Sequence, residues 1–219
     1  AGGERAKVVG TTLGHQHRPH LLEAWGQRFN LQLEPSNLAF FRYLDVPGMI
    51  DKARRAREAG AEIVLAAVHA GEEYSSAPDR QQLAVTHALA DSGEFDFVYG
   101  HHTHSVLPIE KHGDTWIVHG LGNSLSEHAT RVPVNNEGLT VSMTFARQDG
   151  EWVAGDPVWV PHILTLDPIR WCALPAEDVC RSREEDAASL ARTARTVDRM
   201  PPPARATSSY LAPCRRSSN

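Results

Sequence analysis

Cysteine is scarce in this 219-residue chain: Cys172, Cys180 and Cys214 are its three, and none has CxxC spacing. That spacing excludes a zinc knuckle. Cys172 and Cys180 lie close enough to close a small disulfide loop, and free thiols fit equally well. The odd count leaves at least one thiol unpaired within the chain. No apolar run approaches the roughly 20 residues that span a bilayer. No basic stripe occurs: 22 Lys and Arg are interspersed with 27 Asp and Glu, for a net charge of -5. A nucleic-acid partner is therefore not expected. There is no G-x-S-x-G elbow, no phosphate-binding loop and no dinucleotide-type glycine motif. Apolar residues make up 41%, enough for a core but not a generous one. The opening, Ala1 to Lys7, has no initiator Met and no apolar segment of a signal peptide behind it. It reads as the interior of a longer protein.

Histidine is abundant by contrast, with twelve residues. Three apolar runs each end in polar, metal-competent residues. Ile63 to Val68 runs into His69-Ala70-Gly71-Glu72-Glu73, Phe95 to Tyr99 into Gly100-His101-His102-Thr103-His104, and Trp116 to His119 into Gly120-Leu121-Gly122-Asn123. Active sites of α/β sheets lie just beyond the strand C-termini.

The rest of the chain supplies the frame. Residues 7–12 read as a short strand. Residues 47–59 read as a helix, with Pro47 in its first turn and Gly60 at its end. The helical period returns over 79–91, stopped by Ser92-Gly93. Strands are expected at 63–68, 95–99 and 115–119, with a further short one at 106–110 and a turn at 111–114. After Asn123 the pattern alternates over 139–145 and 151–160 around Asp149-Gly150, an antiparallel hairpin. Residues 183–197 form a charged helix with Leu190 and Val197 at heptad spacing. From Pro201 the composition predicts a disordered tail. The expected division is 1–170 as the α/β domain, 171–200 as linker and charged helix, and 201–219 as tail. Helix–strand units giving way to hairpins predict a mixed sheet, or two stacked sheets with helices outside.

The chemistry centres on the histidines. An H-x-H pair after a strand, in extended backbone, points both rings the same way, so His102 and His104 reach one metal or two adjacent ones. His69, ending the neighbouring strand, is the third nitrogen. A lone strand-end His is ordinarily a hydrogen-bonded surface residue; three converging from adjacent strand ends point to a metal. Asn123 offers an amide oxygen. Glu72 or Glu73 offers a hydrogen-bond acceptor for a ligand His, or a substrate contact. Gln81 and Glu110 are further candidate contacts. His101 alternates away and suits packing, and His119 suits the core. His112 is expected exposed in its turn. His15, His17 and His20 suit a solvated loop. No role follows for His87, His128 or His162.

The segments His69 to Tyr74, Pro78, Gln82, Gly100 to His104, Ile109-Glu110 and Gly120 to Asn123 resemble the C-terminal half of the CapA family of capsule-synthesis, poly-gamma-glutamate biosynthesis proteins. The family pattern is approximately H-W-G-x-E-Y, Q, G-x-H-P-H and S-L-G-N-F. Here Ala70 replaces the Trp, Thr103 the Pro and Ser124 the Phe. The family is similar to calcineurin-like metallophosphoesterases. The resemblance covers roughly residues 5–165 and is specific over 63–123. It implies an α/β, αββα sandwich with two divalent ions (Mn, Zn or Fe). His69, His102 and His104 would be ligands, Glu73 and Asn123 catalytic, and Glu110 and Gln82 substrate contacts. It further implies an anionic polymer or phosphoester substrate, other capsule-synthesis proteins as partners, and an extracytoplasmic, surface-associated location. The Gly-Asp strand and the Asn-Leu-Glu segment that supply the remaining family ligands do not occur, so the chain is expected to lack the N-terminal half of the sandwich. Three readings follow: a metal-dependent hydrolase, a non-catalytic surface component that binds an anionic polymer, or an inactive fragment.

Overall fold

The computed structural model describes residues 8–13, 44–124, 132–176 and 178–200. The expected tail, Cys214, the His15-His17-His20 cluster and His128 lie outside them. In chain order the elements are β1 (Val8–Leu13), α1 (Val46–Glu58), β2 (Ile63–His69), α2 (Arg80–Asp91), β3 (Phe97–His101), β4 (Ile109–His112) and β5 (Thr115–Val118). A short 3-10 turn (Pro133–Asn136) follows, then β6 (Glu137–Ser142), β7 (Phe145–Gln148), β8 (Glu151–Ala154), β9 (Val158–Leu166), β10 (Ile169–Ala173) and α3 (Arg183–Val197).

Two sheets carry the fold. The first has the order β1-β2-β3-β5-β4, parallel except for β4, which returns antiparallel along β5. The second is antiparallel, in the order β10-β9-β6. Residues on alternate faces of a strand face opposite layers. Val64, Ala66, Val68, Val98 and Ile117 meet Met49 and Ala53 of α1 and Val85 and Leu89 of α2. Phe97, Ile109, Trp116 and Val118 point the other way, onto Leu139 and Trp159 of the second sheet. Leu190 of α3 packs with Ile163, Cys172 and Leu174 beyond that sheet, while Val197 reaches the inter-sheet cluster. The layering is helix, sheet, sheet, helix, the α/β sandwich expected.

Local signals place the two helices that cover the first sheet. Asp45 accepts from the Gly48 amide at 3.0 Å to start α1, and Asp79 accepts from the Gln82 amide at 2.7 Å to start α2. Each satisfies an amide that has no partner within the helix. Arg57 of α1 donates to Asp96 at 2.8 Å, and Asp96 also takes the Val64 amide at 2.7 Å.

Several expectations are corrected. The second run is in strand conformation from Phe97 to His101 rather than over 95–99, because the Asp96 carboxylate occupies the Val64 amide that a ladder partner would use. The short strand expected at 106–110 is Ile109–His112, so His112 stands in β4 and not in a turn. The single hairpin expected over 139–160 divides: β7 pairs β8 around Asp149 and Gly150, while β6 pairs β9. Both turn residues have positive φ, 50° and 93°, the geometry that matches the twist of a two-residue hairpin. His162, for which the sequence indicates no role, is buried in β9, and burial lowers its pKa despite its bond to the Asn123 carbonyl. The charged helix expected over 183–197 is α3, while β10 reaches into the segment expected as linker from 171. Cys172 and Cys180 are free thiols. Burial, and then the neighbouring Cys172, push the Cys180 thiol up to about 12, so it stays protonated and unreactive at neutral pH.

One ion pair ties α3 to the second sheet. Arg192 grips the buried Glu137 carboxylate through two nitrogens, and Glu137 holds the guanidinium pKa up. Arg192→Ala leaves that carboxylate buried without its counter-ion. Because the guanidinium is itself partly exposed, the expected loss is about 2–3 kcal/mol, below the full cost of a wholly buried pair. Urea denaturation measures it.

Candidate metal centre

The parallel strands β2, β3 and β5 end at the same edge of the first sheet and deliver His69, His101 and, one residue past β5, His119. The approach of these ends is close. A Cβ on Gly100 would sit 2.1 Å from the His119 carbonyl oxygen. Gln82 spans the same place, donating its amide to that carbonyl at 2.6 Å.

His69 and His102 come together, with ring centroids 4.8 Å apart and planes tilted by 46°. The Glu73 carboxylate lies 4.0 Å from His102 Nδ1 on the solvent side. His104 is held differently. Its Nδ1 is 2.8 Å from Asn123 Oδ1, and the Tyr74 ring stacks on it at 5.8 Å. Asn123 is itself fixed, donating through Nδ2 to the Asn135 carbonyl at 2.7 Å and to the His104 carbonyl at 3.3 Å. An amide oxygen only accepts, so His104 carries its proton on Nδ1 and presents Nε2 as the lone-pair nitrogen. Orienting partners of this kind fix the tautomer of a metal-ligating imidazole.

The backbone that aims these rings differs from the extended H-x-H expected. His102 has φ 92° and His104 φ 52°, both left-handed, and Tyr74 opposite has φ 63°. Non-glycine residues held there cost on the order of 1–3 kcal/mol each, and they cluster at functional sites. The Tyr74 amide donates to the Thr103 carbonyl at 2.7 Å, and buried Thr103 donates to the Ser105 carbonyl at 3.0 Å, locking the two loops together. The rings of His69, His102 and His104 do not close into one tight set. Among the described residues, the only group of three or more His, Cys, Asp or Glu with ligand atoms all within 4.8 Å of one another is His87, Glu110 and His112.

Other expected contacts lie elsewhere. Gln82 is fully buried beneath Gly71 and Gly100, where it braces the loops and offers no surface to a substrate; Gln81 is exposed. Glu110 is also buried and faces α2, bonded to His119 at 2.8 Å and His87 at 2.9 Å. His119 is a core residue, as expected, and His101 packs edge-on against Tyr99. Asn123 acts on His104. The residues that sequence reasoning missed are His87, which joins the Glu110 group, and Tyr74, which stacks on His104. Tyr74 stood in the quoted motif but had been given no role.

The family model for the bacterial capsule synthesis protein PGA_cap matches residues 2–128. The chain belongs to that family. The PGA biosynthesis protein CapA of Bacillus subtilis (strain 168) is 37% identical over 75 residues, and the Capsule biosynthesis protein CapA of Bacillus anthracis is 34% identical over 74. Each match takes in 34% of this chain but only 18% of the relative's length. Among solved structures, the calcineurin-like phosphoesterase YfkN from Bacillus subtilis aligns over 88% of this chain and 52% of its own, at 13% identity and a TM-score of 0.41. Within the described residues of this PGA_cap member, no helix is long and apolar enough to cross a membrane.

Proposed function

We propose that His69, His102 and His104 hold divalent metal in a hydrolase site that serves capsule-polymer metabolism. The observation that carries this reading is the His104–Asn123 bond, which spends a buried amide on selecting one imidazole tautomer. The donor set fits a borderline divalent ion such as zinc, manganese or iron. Bound there, the ion supplies Lewis acidity toward a phosphoester or amide carbonyl and a lowered pKa for water. The chain's own contribution is positional. Asn123 orients His104, Glu73 stands beside His102 to accept a proton or a substrate hydroxyl, and Tyr74 walls the His104 side.

A cleft of about 230 Å³ beyond Tyr74 favours an anionic substrate. Arg199 lines it and donates to the Ser76 carbonyl and hydroxyl at 2.9 and 3.0 Å. Neither acceptor is charged, so the guanidinium keeps its net charge for a carboxylate or phosphate. The same cleft supports the second reading, a surface component that binds an anionic polymer such as poly-gamma-glutamate without cleaving it. Extracytoplasmic placement and other capsule-synthesis proteins as partners belong to this proposal.

The test is metal removal and return. Dialysis against a chelator is expected to abolish hydrolysis of a generic phosphodiester or of poly-gamma-glutamate, and manganese or zinc to restore it. Metal-dependent polymer binding by calorimetry with no turnover would select the binding reading. Neither turnover nor binding, with metal loaded, would leave an inactive segment.

A further inference from the structure

A second group of metal-competent side chains lies apart from the three strand-end histidines. It is built by two regular elements facing each other. Glu110 and His112 are two apart on β4, so both project from one face of the sheet, while Ile109 and Lys111 point to the other, where Lys111 lies over the Trp116 ring. His87 and Asp91 are four apart on α2, so they share one face of the helix. His87 Nε2 lies 2.9 Å from Glu110 Oε2, and His112 Nδ1 lies 3.7 Å from Glu110 Oε1. The two imidazoles stack at 4.1 Å with planes 15° apart.

We propose that His87, Glu110 and His112 form a separate zinc site, with Asp91 and His119 as its positioning residues. His112 Nε2 is 2.8 Å from Asp91 Oδ1. A carboxylate there accepts a hydrogen bond from Nε2–H and leaves Nδ1 as the lone-pair nitrogen facing Glu110. A neutral His112 in this tautomer sets two lone-pair atoms against each other across 3.7 Å, an arrangement that a cation between them resolves. His119 donates its Nε2–H to Glu110 Oε2 at 2.8 Å, orienting the carboxylate from its buried side. Two imidazoles and one carboxylate form a known zinc ligand set, with a fourth position left for water. Donors about 2.0–2.1 Å from one ion lie no more than about 4.2 Å apart. The present spread within 4.8 Å closes by small rotamer shifts. The His87 and His112 side chains are 30% and 27% exposed, which opens a path for the ion.

The test titrates zinc chloride into the full chain by calorimetry, with X-ray absorption to identify the ligands. In a His69→Ala/His102→Ala background, one zinc per chain is expected to remain, bound by nitrogen and oxygen ligands, with a raised melting temperature. Adding His87→Ala and His112→Gln to that background is expected to remove it. Asp91→Asn, a change at an exposed rim that leaves the core intact, is expected to weaken zinc at this site about 10- to 100-fold. Zinc-free protein in the His69→Ala/His102→Ala background would overturn the proposal, as would Asp91→Asn with unchanged affinity there. Neither result bears on the strand-end hydrolase site, because two of its three proposed ligands are already removed.

Discussion

His104→Ala is expected to strip metal from the strand-end site and to lower hydrolysis by about 100- to 1,000-fold, the several kcal/mol of transition-state charge stabilisation that a metal supplies. Asn123→Ala is expected to be milder, about 10- to 100-fold in metal affinity, as for partners that orient a ligand. The structural reason is the direction of one bond. With Oδ1 in place, His104 Nδ1 holds the proton and Nε2 carries the lone pair. Without it the imidazole is free to turn and to change tautomer, so part of the population presents the wrong nitrogen. Asn123→Asp tests the sign. A carboxylate still accepts from Nδ1, so it should retain more metal than alanine does. Metal content and kcat measured across the three variants check the ordering, and Asn123→Ala with unchanged metal affinity would remove Asn123 from the site.

Gly100→Ala is the second large effect, and it acts on stability. The added Cβ would stand 2.1 Å from the His119 carbonyl oxygen, 2.8 Å from its carbon and 3.3 Å from Gln82 Nε2. Two of these atoms are backbone in a crossing held by the Leu107 amide on the Gly120 carbonyl at 3.0 Å and by the Leu121 amide on the Gly100 carbonyl at 3.3 Å. They cannot yield as a flexible side chain does. An expected loss of about 3–5 kcal/mol places the variant at the severe end of single substitutions. Gly93→Ala is the control. A Cβ there meets nothing within 4 Å, so only the φ of 70° is strained and the cost is about 1 kcal/mol. Urea midpoints for the two variants should separate clearly; equal midpoints would mean that the β3 and β5 ends part easily.

Much of the frame was legible from short-range chemistry. The helices were placed by Pro47, Gly60, the helical period of 79–91 and the Ser92-Gly93 stop, and β2 by its unbroken apolar run. The bond between Asp96 and the Val64 amide joins residues 32 positions apart, so nothing local warned that β3 begins at Phe97. The pairing of β6 with β9 was hidden for the same reason, since the turn at Asp149-Gly150 closes only β7 on β8.

The sequence by itself determined that histidines arrive at the ends of adjacent parallel strands, because apolar runs and their polar stops are written in consecutive residues. Only the tertiary structure decided where those rings point. Left-handed backbone at His102 and His104, Asn123 on the His104 ring, and the meeting of α2 with β4 around Glu110 each depend on contacts between chain segments far apart. Side-chain direction follows the local φ and ψ, and here those angles are imposed by packing that no nearby residue announces.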